Sequence, residues 1–76
     1  MAEFAQEVDA SGLNCPLPIL RAKKALNSME QGEKLRIVAT DKGSVRDFAA
    51  FTQQTGNPLL ESSEDNGKYI FIIEKG

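Results

Sequence analysis

The pattern of apolar and polar positions predicts four short strands. Ala5 to Asp9 alternates in a strand-like way, and Leu35 to Thr40 is rich in branched side chains. Leu59 to Ser62 predicts a third strand, and Asn66-Gly67 predicts the tip of a hairpin after it. The last strand, Tyr69 to Ile73, is a continuous apolar run, which is typical of a strand inside a sheet rather than at its edge.

A first helix is predicted from about Pro16 to Met29. Its prolines, Pro16 and Pro18, fall in the first turn, where the backbone nitrogen has no partner within the helix. Ile19, Ala22, Leu26 and Met29 form one apolar stripe at helical spacing. Gly32 follows as a stop signal.

A second helix is predicted from Ser44 to about Thr55. Ser44 and Asp47 resemble a capping box at its start, and Gly56 follows its end. The predicted inner face consists of Val45, Phe48, Phe51 and Thr52.

The order of elements is therefore βαβαββ. Each helix is a crossover between parallel strands, and the hairpin makes the fourth strand antiparallel to the third. Two helices can cover one face of the sheet, so the expected fold is a two-layer α/β sandwich. A chain of 76 residues has the length of one domain, spanning 1–76.

Composition narrows the possible chemistry. There is no histidine and one cysteine, which argues against a zinc site and against a Cys–His or Ser–His catalytic pair. The net charge of −2 gives no electrostatic reason to bind nucleic acid. No stretch has the roughly 20 apolar residues of a membrane span, and the acidic N-terminus does not resemble a signal peptide, so we expect a cytoplasmic protein.

Cys15 is the candidate reactive residue. It comes between a turn containing Gly12 and the predicted helix start at Pro16, and we expect it at the N-cap of that helix. The positive end of a helix dipole favours the thiolate, which is the nucleophilic form. The two prolines remove hydrogen-bond donors from the same turn but stiffen it, so the pattern indicates a presented thiol. The alternative is a cysteine that is simply a small buried apolar residue.

The segment Asp9-Ala-Ser-Gly-Leu-Asn-Cys-Pro-Leu-Pro18 resembles the signature of the TusA/SirA family of sulfur carriers, in which Cys-Pro-x-Pro follows Gly-Leu. The segments 39–47 and 56–61 and the final strand also fit this family, so the likeness covers nearly the whole chain. Two positions differ: Lys42 stands where many relatives have proline, and the second helix has no second cysteine, which excludes an internal resolving disulfide.

The resemblance implies a four-stranded mixed sheet of order 1-2-4-3. It also implies that Cys15 accepts sulfane sulfur as a persulfide and that Gly12, Pro16 and Pro18 support the motif. The donor would be a protein such as a cysteine desulfurase or a rhodanese, and the acceptor another protein. The chain would then be a sulfurtransferase-type carrier that works with partner enzymes, without a cofactor other than the covalent sulfur, and as a monomer. Whether it serves tRNA thiolation, molybdenum-cofactor maturation or sulfur oxidation stays open.

A partner-binding surface is predicted beside the cysteine. Leu17, Leu20, Arg21 and Lys24 fall opposite the inner stripe of the first helix. Exposed apolar groups with a charged rim often mark interaction sites, although two exposed leucines also occur by chance. Asp41 follows a parallel strand at the sheet edge shared with Cys15, where it would orient a basic residue of a partner or make turn contacts.

Two classes of function therefore remain after the sequence is considered. The first is a persulfide carrier built on Cys15. The alternative is a non-catalytic regulatory interaction module in which Cys15 is structural and the helix surfaces bind a partner.

Overall fold

The computed structural model describes residues 4–14 and 16–76, and its elements follow the predicted order. The strands and helices are β1 (Gln6–Ala10), α1 (Leu17–Asn27), β2 (Lys34–Ala39), α2 (Ser44–Thr55), β3 (Leu59–Asp65) and β4 (Lys68–Glu74). The βαβαββ order is confirmed. The third strand is longer than predicted because its pairing with β4 continues through polar residues to the hairpin turn.

The four strands form one mixed sheet of order β1-β2-β4-β3. β1 and β2 are parallel, with Ala10 opposite Ala39 at their carboxyl ends. β4 lies between β2 and β3 and is antiparallel to both. The apolar run of β4 therefore reflects its place inside the sheet, as the sequence predicted.

Both helices pack on one face of the sheet and share a single hydrophobic core. β2 alternates between buried and half-buried residues, so Leu35, Ile37 and Ala39 face the helices. Leu26 of α1 and Phe48 of α2 are buried in the same cluster. This arrangement confirms the two-layer α/β sandwich.

The inner faces of the helices differ from the predicted ones at two positions. Pro18 is buried on α1, whereas Ile19 is half-buried and packs against the edge of the core. Val45 was predicted to face the core and is 43% exposed, so that prediction is wrong. The neighbouring Ser44 takes the buried position at the start of α2.

The predicted capping box at Ser44 is also wrong. The N-cap of α2 is Gly43, and no side chain makes a capping hydrogen bond there. Ser44 is already the first helical residue, and its hydroxyl is buried without a hydrogen-bond partner in the part of the chain that the structure describes. A hydroxyl turned into the core cannot accept from the backbone amides of the first turn.

The second face of the sheet is not covered by a helix. A bulge between Leu59 and Glu61 leaves Leu60 48% exposed, beside a shallow groove that Phe4 and Ile72 also line. No helix among the described residues is long and apolar enough to cross a membrane.

Candidate functional site

The predicted site lies where β1 and β2 end side by side. Because Ala10 and Ala39 are paired in parallel strands, the chain leaves both strands at the same edge of the sheet. The turn after β1 contains Gly12 and leads to Cys15, and the loop after β2 contains Asp41. The structure thus brings the segment before the cysteine and the Asp41 loop to one edge. Cys15 itself lies outside the described residues.

The turn after β1 is held by three hydrogen bonds that its backbone amides donate, two of them to side chains. The Ser11 amide donates to Oδ1 of Asp9 at 3.0 Å, and the Leu13 amide donates to the carbonyl of Ala10 at 3.2 Å. The Gly12 amide donates to Oγ1 of Thr40 at 2.8 Å, across 28 positions of sequence. Gly12 has a φ of +80°, a conformation that glycine adopts without strain. These contacts give the backbone before Cys15 a defined path.

Asp9 is the titratable anchor of this turn. Hydrogen bonds from Ser11, first through its side chain and then through its backbone amide, hold the pKa of the Asp9 carboxyl below its ordinary value. Partial desolvation acts against these hydrogen bonds, and the positive charge of Lys68 contributes a smaller lowering of the pKa. The carboxylate is therefore ionised at neutral pH. The prediction that Asp9 ends the first strand is off by one residue, since β1 continues to Ala10.

Helix α1 begins one position later than the sequence predicted. Its N-cap is Pro16, so the prediction that Cys15 is the N-cap residue is wrong by one position. Pro18 lies in the first turn, as predicted, and its ring is buried against the core. A buried proline ring fixes the start of the helix against the sheet, and Pro16 is the exposed residue directly after the cysteine.

Several backbone groups around Cys15 are not available to an anion. Pro16 and Pro18 have no amide hydrogen. The amides of Ser11, Gly12, Leu13 and Leu17 donate to oxygen atoms of the protein. These six positions therefore offer no free amide hydrogen to a negative charge on the sulfur.

The predicted surface on α1 forms a shallow groove. Its lining consists of Leu17, Leu20, Arg21 and Lys24, the four residues expected to lie together. Leu17 is 46% exposed and Leu20 is 54% exposed. The helix has no acidic residue in its first turn and Lys24 in its last turn, so the rim of the groove is basic.

Asp41 makes contacts within its own loop. Its Oδ1 accepts a hydrogen bond from the Gly43 amide at 3.4 Å, and its carbonyl accepts one from the Ser44 amide at 3.0 Å. These contacts form the turn that leads into α2. Its predicted contact with a partner stays a prediction.

Comparison with known proteins identifies the family. A model of the family described as sulfurtransferase TusA matches residues 6–75, which include the position of Cys15. The chain is 65% identical over 75 residues to the sulfur carrier protein TusA of Allochromatium vinosum, covering 99% of each chain. The chain belongs to the TusA family of sulfur carrier proteins.

Other TusA-family proteins agree in sequence and in fold. A putative sulfur carrier protein of Neisseria meningitidis is 50% identical over 70 residues, covering 92% of this chain and 95% of that protein. The crystal structure of a SirA-like protein from Desulfitobacterium hafniense is 30% identical and superposes with a TM-score of 0.81, over 93% of this chain and 97% of that one. The predicted resemblance and the predicted sheet order are thereby confirmed.

Sequence reasoning missed Thr40 as part of the candidate site. It was assigned to the end of the second strand, but β2 ends at Ala39 and the Thr40 hydroxyl accepts the hydrogen bond from Gly12. The partner of Thr40 is 28 positions away in sequence, so no local pattern indicates the contact. The one available signal for Thr40 is a hydroxyl residue directly after a parallel strand. Among the described residues, no group of acidic, histidine or cysteine side chains could hold a metal ion.

Proposed function

We propose that this protein carries sulfane sulfur as a persulfide on Cys15 and passes it to a partner protein. The observation that carries the proposal is the match of the TusA family over residues 6–75, in a chain whose one cysteine lies in the Cys-Pro-x-Pro motif. Cys15 is therefore the one thiol in the sequence that can be loaded. The anchored turn before it and the buried Pro18 after it support a thiol presented at a fixed place.

The loading step is a thiol exchange in which sulfur changes partner without net oxidation. The Cys15 thiolate attacks the terminal sulfur of a donor persulfide, so a new sulfur–sulfur bond forms at Cys15. The bond between that sulfur and the donor cysteine breaks, and the donor cysteine leaves as a thiolate. The transferred sulfur keeps its proton, so Cys15 becomes a persulfide and the charge passes to the donor thiolate. Unloading repeats the step with an acceptor nucleophile and returns the Cys15 thiolate.

The surroundings of the motif favour a carrier over an enzyme with its own acid–base groups. The sequence has no histidine. The amides of Ser11, Gly12, Leu13 and Leu17 donate to oxygen atoms of the protein. The nucleophile of each step is a thiolate, or a group on the partner, so this chain needs no general base. The donor would be a cysteine desulfurase or a rhodanese, and the pathway that receives the sulfur stays open.

The groove on α1 supports a docking role for Leu17, Leu20, Arg21 and Lys24. These residues begin two positions after Cys15, so a partner seated there would bring its own reactive group near the sulfur. A basic rim around two exposed leucines suits a partner surface that is acidic and has an apolar centre. Asp41 would contact a basic group of the same partner from the neighbouring loop.

Mass spectrometry of the intact protein tests the proposal. After incubation with a cysteine desulfurase and L-cysteine, the chain should gain the mass of at least one sulfur atom, and dithiothreitol should remove it. Cys15→Ala should show no gain, while retaining the wild-type unfolding curve. A wild-type protein that never gains sulfur from a desulfurase, a rhodanese or polysulfide, yet still binds a protein partner, would favour the non-catalytic interaction module.

A further inference from the structure

The hydrogen bond from the Gly12 amide to the Thr40 hydroxyl joins the turn before Cys15 to the residue that follows β2. The other two hydrogen bonds of the turn, from Ser11 to Asp9 and from Leu13 to Ala10, return to β1 itself. The Thr40 contact ties the backbone of the turn to the residue that follows a different strand, β2. At 2.8 Å it is a short hydrogen bond between an amide and a hydroxyl.

The position of this bond suits the control of a thiol three residues further along the chain. Gly12 has a φ of +80° and no atom lies within 4 Å of where its Cβ would be, so packing around that position does not hold it in place. A glycine in open space is the point about which a turn rotates most easily. The Thr40 hydroxyl accepts the hydrogen bond from the amide of that same residue, and Thr40 directly follows β2.

We infer that Thr40 is a positioning residue for sulfur transfer. It acts through Gly12 and does not touch the reacting atoms, and this inference rests on the proposed role of Cys15. Transfer between two proteins requires the sulfur atoms to meet in a narrow range of distance and direction, so the fraction of molecules with the correct turn conformation enters the rate directly. Loss of one hydrogen bond of this kind should lower the ratio of correct to alternative turn conformations roughly 3- to 10-fold, and the loading rate falls by this factor where the alternative conformations then dominate.

Three variants separate a positioning role from a structural one. Thr40→Val removes the acceptor and keeps the shape of the side chain, and Thr40→Ser retains the hydroxyl. Thr55→Val is the matched control, since Thr55 is also an exposed threonine whose hydroxyl bonds to the backbone, at 2.8 Å from the Phe51 carbonyl at the end of α2. Urea unfolding of each variant confirms that the fold is retained.

Three rates are measured for each variant. The first is hydrogen exchange at the Gly12 amide, measured by NMR. The second is loading of Cys15 by a cysteine desulfurase with L-cysteine, which is a transfer between two proteins. The third is alkylation of the Cys15 thiol by iodoacetamide between pH 6 and 10 in roughly half-unit steps, which needs an accessible thiolate and no docked geometry.

We expect Thr40→Val to exchange the Gly12 amide faster and to load about 3- to 10-fold more slowly, with an unchanged alkylation profile. Thr40→Ser and Thr55→Val should load at the wild-type rate. Wild-type loading by Thr40→Val, an unchanged Gly12 exchange rate, or an equal fall in loading and alkylation would each overturn the inference. Failure of the proposed function is distinct, because the wild-type protein itself would then gain no sulfur.

Discussion

Leu17 and Leu20 lie one turn apart on the same face of α1, and each leaves about half of its surface in solvent, at 46% and 54%. The opposite face of this helix is buried through Pro18, Ala22 and Leu26. Burial of the leucines therefore contributes little to folding, although the groove that they share with two basic residues begins two positions after Cys15 in the sequence. This combination allows binding and stability to be tested separately.

Leu20→Ser should weaken sulfur transfer with a protein partner and leave the fold intact. A leucine that is buried by a partner contributes about 1.5–3 kcal/mol, so the second-order rate constant of loading by a desulfurase should fall at least 10-fold. The matched control is Leu60→Ser, because Leu60 is 48% exposed and lies on the uncovered face of the sheet. Loading is measured as the rate at which the intact protein gains the mass of sulfur. If Leu20→Ser and Leu60→Ser slow this rate equally, the α1 groove is not a docking surface.

Lys24→Glu should reduce loading in a way that persists at high salt. Lys23 is its neighbour on α1 but lines a different groove, next to α2, so Lys23→Glu is the control. Both reversals weaken long-range attraction to an acidic partner, an effect that salt screens at distances beyond about 8–10 Å. Only Lys24→Glu should still load slowly at roughly 0.5 M salt. If both variants recover to the wild-type rate there, Lys24 makes no direct contact.

The fold could be predicted in detail because each element has its own pattern in the sequence. The apolar run of β4 predicts an internal strand, and the structure places it between β2 and β3. The four residues of the α1 groove were found by helical spacing, since exposure on a single helix follows from its period. Local patterns of this kind are sufficient when the burial or exposure of a residue depends on its own strand or helix.

The remaining features depend on contacts between distant segments. Thr40 was missed because its partner, Gly12, lies in the turn after another strand, 28 positions away in sequence. The predicted capping box was wrong because the Ser44 side chain is buried in the structure and cannot cap the helix. Val45, the next residue, is on the exposed side. A pattern of four residues contains no information about which side the sheet is on, so the first turn of a helix is predicted less well than its centre.

Phe48→Ala should destabilise the fold more than any change in the proposed site. Phe48 is fully buried on α2 and stacks on Phe71 of β4, with ring centroids 4.6 Å apart and 29° between the planes. Removal of a buried phenylalanine costs about 3–5 kcal/mol, which is a large part of the stability of a domain of this size. Urea unfolding should show this loss, whereas Leu60→Ala should change the free energy of unfolding by less than about 0.5 kcal/mol.

Asp9→Asn should alter the dependence of stability on acid. The pKa of Asp9 is lower in the folded state, so its carboxylate stabilises the fold above the ordinary carboxyl pKa of about 3.9. That contribution disappears as the pH falls through the lowered pKa. The wild-type protein should therefore be more stable than Asp9→Asn at pH 6, and the difference should shrink as the pH falls through the lowered pKa.

The Asp9 comparison is made by urea unfolding at a series of pH values. Asp65→Asn serves as the control on the opposite edge strand of the sheet, β3. A difference between the wild-type protein and Asp9→Asn that stays constant across the series would mean that the carboxylate charge makes no contribution to stability.

Gly12→Ala should strain the turn that leads to Cys15. The φ of +80° costs an L-amino acid about 1–2 kcal/mol, and this is the whole expected loss because the added Cβ meets no atom within 4 Å. Gly43→Ala is the matched control at the neighbouring loop, where φ is −65° and the added Cβ makes an ordinary contact of 3.4 Å with Asp41. It should change the free energy of unfolding by less than about 0.5 kcal/mol.

The two alanine variants also differ in what they should do to sulfur loading. If Gly12→Ala relieves its strain by rotating the turn, it breaks the hydrogen bond to Thr40, and loading by a desulfurase falls as in Thr40→Val. If the hydrogen bond persists, the strain appears as lost stability and loading is unchanged. Hydrogen exchange at residue 12, measured beside the unfolding curve, separates these two results. A variant that is as stable as the wild-type protein and keeps the protected amide would show that the turn does not require glycine.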